Sequence, residues 1–456
     1  MIENKLGIYV HIPFCYSKCP YCDFYSVGAG KARKRISGGN AALVGSETDS
    51  ECTGLQEKSF VNTEAPAEYR TGSEHKDLQG EYIEAVKKEI KDFFERNAGK
   101  YEVDTVYFGG GTPNSLRTEE LREILGCAIE NAGIECGRIG SKATEGSIKS
   151  YDNSASVKSQ SHSKASPEIT IEVNPKSAKF GEPTDFKALR EMGFNRISIG
   201  CQSFDDDILK SLGRIHSAGD NRETVRLAKE AGFDNISLDL MFGIPGQTEE
   251  IWEETVRQAI EMDCQHISMY SLEFMEGTRF TRMLEEGKMQ ETPEEADRMM
   301  YHKAIDMLSA AGYRQYEISN FAKPGFESRH NSKYWMLEEY AGFGPSAHSY
   351  IANRRYSNPA DLELYIKNPL SKVMYGENTV FDDMSEFVFT GLRMADGVDT
   401  DKFSEKFGMD IWAAFESARE EFERFAADGY AEITDNRIRL TLKGFDISNR
   451  IMCLFV

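Results

Sequence analysis

The stretch Tyr9-Val10-His11-Ile12-Pro13-Phe14-Cys15-Tyr16-Ser17-Lys18-Cys19-Pro20-Tyr21-Cys22-Asp23-Phe24 places three thiols at intervals of four and three residues. They directly follow Gly7–Ile12, a short apolar run that reads as a buried strand. Three thiolates in one loop can hold three irons of a 4Fe-4S cluster, which ordinarily takes four cysteines, and so leave one iron open. An open position lets a metal site do chemistry rather than hold structure. The competing reading is a structural zinc with His11 as fourth ligand, although such sites usually draw on two separated pairs. The other six cysteines, Cys52, Cys127, Cys136, Cys201, Cys264 and Cys453, are scattered, unlike a disulfide scaffold. Of these, Cys201 falls nearest the proposed site.

Working outward, Val103–Phe108, Glu168–Val173, Arg196–Gly200, Ile236–Phe242 and Gln265–Ser271 also read as buried strands. Helical segments alternate with them, with caps expected at Thr118, at Asp220 paired with Glu223, and at Thr248. Six β-then-α units imply a parallel sheet, open or curled into a partial (β/α)6 barrel, with functional residues at the carboxyl ends of its strands. The second strand runs into Gly109-Gly110-Gly111-Thr112-Pro113, where glycines let the backbone approach a polar ligand. Glu172 and Asp239 are carboxylates inside otherwise apolar strands, so each needs a structural partner or a ligand.

The expected organisation is a core over 1–290 with insertions at about 28–79 and 136–166, a loop-rich connecting region over 291–375, and a smaller helix-rich domain over 376–456. Within that last domain Ala431–Leu442 reads as β-like. A net charge of −21 argues against nucleic acid, because a phosphate backbone needs a positive stripe. No apolar run approaches membrane-spanning length and the N-terminus is unlike a signal peptide, so a cytoplasmic location is the expectation.

Cys-x3-Cys-x2-Cys resembles the cluster motif of the radical-SAM superfamily, which implies a 4Fe-4S cluster and S-adenosylmethionine as cofactors. The run before Cys15, the Gly109–Pro113 loop, Ser198-Ile199-Gly200-Cys201-Gln202-Ser203-Phe204 and Asp239-Leu240-Met241-Phe242-Gly243-Ile244-Pro245-Gly246-Gln247-Thr248 together resemble the oxygen-independent coproporphyrinogen III oxidase group. That resemblance implies that Tyr9, Tyr21, Gly110 and Glu172 contact cluster-bound S-adenosylmethionine, and that Gly111, Thr112, Gln202, Arg214 and Asp239 contact a second molecule of it.

Two features are similar to the heme chaperones of the HemW type within that group. The oxidases carry a further cysteine two residues after the third, where this chain has Phe24. The chaperones carry His-Asn-x-x-Tyr-Trp, here His330-Asn331-Ser332-Lys333-Tyr334-Trp335. The implied function is to bind heme as cargo, with His330 as candidate axial ligand and His348 as second candidate, and to deliver it to apo-hemoproteins. Radical decarboxylation of coproporphyrinogen III is the alternative, and a radical reaction on another substrate remains a third because fold does not fix chemistry. An electron donor is implied in each case. The resemblance allows a homodimer, which no residue pattern requires.

Overall fold

The computed structural model describes residues 4–28, 77–134, 166–175 and 183–456. The expected insertions at about 28–79 and 136–166 therefore lie almost wholly outside the described residues. Strands β1 (Lys5–Ile12), β2 (Glu102–Gly110), β3 (Glu168–Val173), β4 (Arg196–Gln202), β5 (Ile236–Phe242) and β6 (His266–Ser271) pair in that order, each parallel to the next. Their residues are buried on both faces, as a parallel sheet covered by crossover helices requires. Helix Glu249–Glu261 is tied to helix Glu294–Ala310 by Trp252, whose indole N–H donates to the Met300 carbonyl at 2.7 Å.

Two of the expected caps differ. Thr118 opens its helix from inside, with Glu120 accepting from the Arg117 backbone N–H at 2.7 Å. The helix Ala218–Glu230 is capped by Ser217, and Asp220 accepts from the Ser217 N–H at 2.8 Å, so the box sits three residues earlier than Asp220 with Glu223. Thr248 caps its helix as expected.

The region read as loop-rich is the larger correction, because it completes the sheet. Arg314–Glu317 and Asn320–Ala322 extend it antiparallel beyond β6, while Tyr340–Phe343 adds in parallel to β1 and leads to His348–Ile351, Arg354–Ser357 and Val373–Met374. Strands of two to four residues are too short for alternation to reveal. Their aromatics, Tyr316, Phe321, Tyr340, Phe343 and Tyr350, are buried. Among the described residues the two ends of this sheet do not pair, so the barrel stays open.

A separate core of Met384, Val388, Phe403, Phe422 and Phe455 is built from helices over Val380–Phe455 and a small sheet that includes Ala431–Thr434 and Arg437–Leu440. Among the described residues no helix is long and apolar enough to cross a membrane.

Candidate functional site

Strand β1 ends at Ile12, and the chain then turns through Pro13 into the cysteine loop. Phe14 anchors the turn: it is fully buried, with its ring edge-on to Tyr82 at 5.4 Å. Val27 N–H closes the loop on the Pro13 carbonyl at 2.7 Å. From the other side, Gly111 and Thr112 donate their backbone N–H groups to the Ile12 and Phe14 carbonyls, both at 2.8 Å. These two donors brace the cysteine loop, while Gly110, Gly111 and Thr112 also line the cavity beside it. A Cβ on Gly111 would lie 2.8 Å from both carbonyls and 3.1 Å from Cys15 Sγ, so only glycine lets the two loops meet.

Cys15, Cys19 and Cys22 border one cavity of about 480 Å³ that runs into the barrel. Burial raises the thiols of Cys15 and Cys22, the latter to about 11. Donors wait on the sulfurs: Thr112 Oγ1 reaches Cys15 Sγ at 3.5 Å and Arg214 Nη1 reaches Cys19 Sγ at 3.4 Å. This donor set fits an iron–sulfur cluster, in which hydrogen bonds to sulfur and a nearby cation favour thiolate over thiol. His11 does not serve as the zinc alternative's fourth ligand. Its Nδ1 lies 3.1 Å from Tyr9 Oη, its Nε2 lies 2.9 Å from the Tyr25 carbonyl, and burial lowers its pKa to about 4. Cys201 is fully buried away from the cavity. Cys127 and Cys264 are also buried elsewhere, Cys453 is exposed, and Cys52 and Cys136 lie outside the described residues.

The cavity wall brings together Tyr21, Gly110, Gly111, Thr112, Glu172, Gln202, Arg214 and Asp239, mostly from strand ends and the loops after them, with Asp239 from the middle of β5 and Arg214 from the turn after the helix Asp206–Ser211. Tyr9 stands behind this wall, stacked on Tyr107 at 6.2 Å. Gly110 has φ +103°, and a Cβ there would meet the His11 ring at 2.5 Å. Glu172 accepts from Tyr107 Oη at 2.7 Å, and desolvation raises its pKa to about 7. Asp239 accepts from Ser198 Oγ at 3.0 Å and is likewise raised by burial. Arg214 also donates to the Gly200 carbonyl at 2.9 Å and to Asn174. Asn174 in turn donates to Thr112 Oγ1 at 2.9 Å. Phe24 is 62% exposed at the mouth.

The two histidine candidates fall outside this group. His330 is 1% exposed under the barrel floor, 2.8 Å from Thr105 Oγ1 through Nδ1 and 2.9 Å from Tyr334 Oη through Nε2, and it stacks on Tyr107 at 5.1 Å. Burial lowers its pKa to about 3, so the ring is neutral, but neither nitrogen has a lone pair open to a metal. In this conformation the ring is part of the core. Gly7 makes the room, since a Cβ there would lie 3.3 Å from His330 Cε1. His348 is exposed and stacks on Tyr375 at 5.6 Å.

Sequence reasoning missed Tyr107, Asn174, Ser198, Arg196 and Asn331, which also line the cavity. Two signals were available: Arg196 is a cation opening an otherwise apolar strand, and Asn331 belongs to the His-Asn-x-x-Tyr-Trp motif.

A model of the radical SAM superfamily matches residues 9–259, and one of the HemN C-terminal domain matches 379–447. The heme chaperone HemW of Bacillus subtilis (strain 168) is 31% identical over 98% of this chain and 98% of its own. That of Escherichia coli (strain K12) is 30% identical over 76% of this chain and 70% of its own. In fold the chain is similar to the coproporphyrinogen III oxidase HemN from Escherichia coli, a radical SAM enzyme, with a TM-score of 0.72 and 20% identity over 100% of this chain and 91% of that one. A superfamily match over more than half of the chain and an end-to-end relative at 31% identity place it in one family: the chain belongs to the radical SAM superfamily and, within it, to the HemW family.

Proposed function

We propose that this protein is a heme chaperone that binds heme and delivers it to apo-hemoproteins, with a 4Fe-4S cluster held by Cys15, Cys19 and Cys22 and S-adenosylmethionine in the adjoining cavity. When bound, the cluster supplies an electron and an open iron for the amino and carboxylate groups of S-adenosylmethionine. Tyr21, Gly110 and Glu172 are the proposed contacts to that molecule, with Tyr9 acting from behind the wall. Gln202, Arg214 and Asp239, with Gly111 and Thr112 at the loop, suit a second one. The observation that carries the chaperone reading is Phe24 at the cavity mouth, where the similar oxidases have a cysteine. An exposed phenyl ring offers no sulfur to a metal or a radical step.

Heme ligation through His330 requires the helix Arg329–Trp335 to part from the barrel floor, because both ring nitrogens are engaged there. His348, with its exposed ring, requires no such movement. This reading calls for two partners, an electron donor and a heme-accepting apoprotein.

The test is to give anaerobically reconstituted protein hemin, and separately coproporphyrinogen III with S-adenosylmethionine. Stoichiometric heme binding without porphyrinogen turnover is the expected result. Turnover of coproporphyrinogen III would replace the chaperone reading with the oxidase one.

A further inference from the structure

The floor of the cavity holds a guanidinium that no acceptor touches directly, although the charges of Glu172 and Asp239 reach it across the cavity. Arg196, the first residue of β4, is 1% exposed, and its side chain makes no hydrogen bond or ion pair among the described residues. Its Nε is fully enclosed and unpartnered. The other buried cations of the barrel are all engaged. Arg214 donates to Cys19, Asn174 and Gly200, and Lys333 pairs with Asp104 at 2.9 Å and Glu338 at 2.7 Å. Enclosing an N–H of a guanidinium without an acceptor is costly unless a ligand supplies one. Its planar fork is shaped for two parallel hydrogen bonds to a carboxylate.

The acids sharing the cavity do not supply that partner. Glu172 is held by Tyr107 Oη, and Asp239 by Ser198 Oγ. Both feel the charge of Arg196, which favours their ionised forms, but neither touches it as an ion pair, so its hydrogen-bond donors stay unused. The same cavity is lined by Ser198, Ser268 and Asn331, whose side-chain amide makes no hydrogen bond among the described residues and adds a neutral donor. We propose that Arg196 anchors a carboxylate-binding site at the floor of this cavity, with Asn331 as its second donor, for the alkyl carboxylate of a ligand that enters past the cysteine loop. Glu172 and Asp239 repel any anion here, and a phosphate, with its second charge, more than a carboxylate.

Two ligands of this system carry such a group: the amino-acid end of an S-adenosylmethionine not bound to iron, and the propionate of a porphyrin. Because the site is argued from Arg196 and Asn331, it does not depend on the heme reading.

The test compares acid and neutral forms of each ligand on the anaerobically reconstituted full chain, by equilibrium dialysis. The pairs are S-adenosylmethionine against its decarboxylated form, and hemin against hemin dimethyl ester. In Arg196→Gln the acid-over-neutral affinity ratio is expected to fall about ten- to hundredfold for one pair, the usual range for a hydrogen bond to a charged group. Arg196→Lys should keep part of that ratio, and Asn331→Ala should lower it several-fold without touching the charge. The pair that responds identifies the source of the carboxylate. Ratios unchanged from the parent in both pairs would overturn the proposal. If Arg196→Gln does not fold, unchanged ratios in Asn331→Ala overturn it alone. Failure of the parent to bind hemin in either form is a separate result, which removes the heme reading and leaves the S-adenosylmethionine pair to decide the site.

Discussion

Replacing Glu172 with Gln should stabilise the protein without its cofactors, and more so as the pH rises. Glu172 is enclosed by the barrel and has Asp239 as a neighbour, and desolvation, the larger cause, lifts its native pKa from 4.5 to about 7. The folded state thus binds a proton more tightly than the unfolded chain. Its stability is highest below pH 4.5 and falls as the pH climbs through 7. A shift of that size is worth about 3 kcal/mol at about 1.4 kcal/mol per unit, and water in the cavity beside the carboxylate reduces it to about 2 kcal/mol. Gln keeps an acceptor for Tyr107 Oη and cannot ionise, so the penalty disappears. Thermal unfolding of cluster-free Glu172→Gln and parent at pH 5 and pH 8 should show little difference at pH 5. At pH 8 the variant should melt about 4 °C higher, at roughly 2 °C per kcal/mol for a large domain. The same protein should bind S-adenosylmethionine more weakly when reconstituted. An equal gain at both pH values, or a larger one at pH 5, would refute the claim that Glu172 is a strained acid kept for a ligand.

Cys19→Ser, reconstituted without oxygen, should lose most of its iron and sulfide, whereas Cys201→Ser should retain the parent's content, since its thiol is buried off the cavity. Gly110→Val should lower stability by about 1–3 kcal/mol through overpacking, as the new Cβ meets the His11 ring 2.5 Å away and the backbone sits at φ +103°. Weaker S-adenosylmethionine binding would follow from displacement of His11 and Tyr9 rather than from entry into the cavity, and denaturant unfolding of the variant measures the first effect directly. His330→Ala should cost about 2–4 kcal/mol of stability even without heme, because it empties a packed site and orphans Thr105 and Tyr334. His348→Ala should cost less than 0.5 kcal/mol, as is usual at an exposed position. Hemin titration of both, with the cluster content checked, then assigns the ligand: a loss at His348 alone moves it out of the motif.

The parts of the fold that could be read from sequence are those where burial on both faces writes itself as a continuous apolar run. The strands Glu168–Val173 and Ile236–Phe242 were expected with the same bounds that they have. The acids inside them, Glu172 and Asp239, were conspicuous for the same reason: a charge in such a run has no solvent to meet. The sheet extensions on either side of the barrel were not legible. Three- and four-residue strands such as Asn320–Ala322 and Tyr340–Phe343 carry no periodicity, and their pairing is dictated by β6 and β1, far away in sequence. Side-chain direction was equally hidden. Nothing local to Gly109–Pro113 says that two of its N–H groups are taken by the cysteine loop, and nothing local to His330 says that its ring lies under Tyr107.

The placement of His330 changes what the His-Asn-x-x-Tyr-Trp motif accomplishes in the folded protein. The cysteine loop follows the carboxyl end of β1, while the motif packs where β1 and β2 begin, with His330 against Gly7 and Thr105. The two lie at opposite ends of one barrel, and the rings between them are in contact. His330 stacks on Tyr107, Tyr107 hydrogen-bonds Glu172, and Glu172 faces the same cavity as the three thiols. A packed core has few alternative arrangements, so a change at one end of this column is felt along it. If heme takes His330, it must first separate the ring from Thr105 and Tyr334 and unstack it from Tyr107. Whatever fixes Glu172 from the cavity side holds Tyr107 in place and opposes that separation. Linkage makes the effect mutual, so cargo at His330 and a ligand at Glu172 would each weaken the other. Cargo at His348 would leave the column undisturbed. On the proposed heme-binding function, an effect of S-adenosylmethionine on heme affinity is expected if His330 is the ligand and none if His348 is.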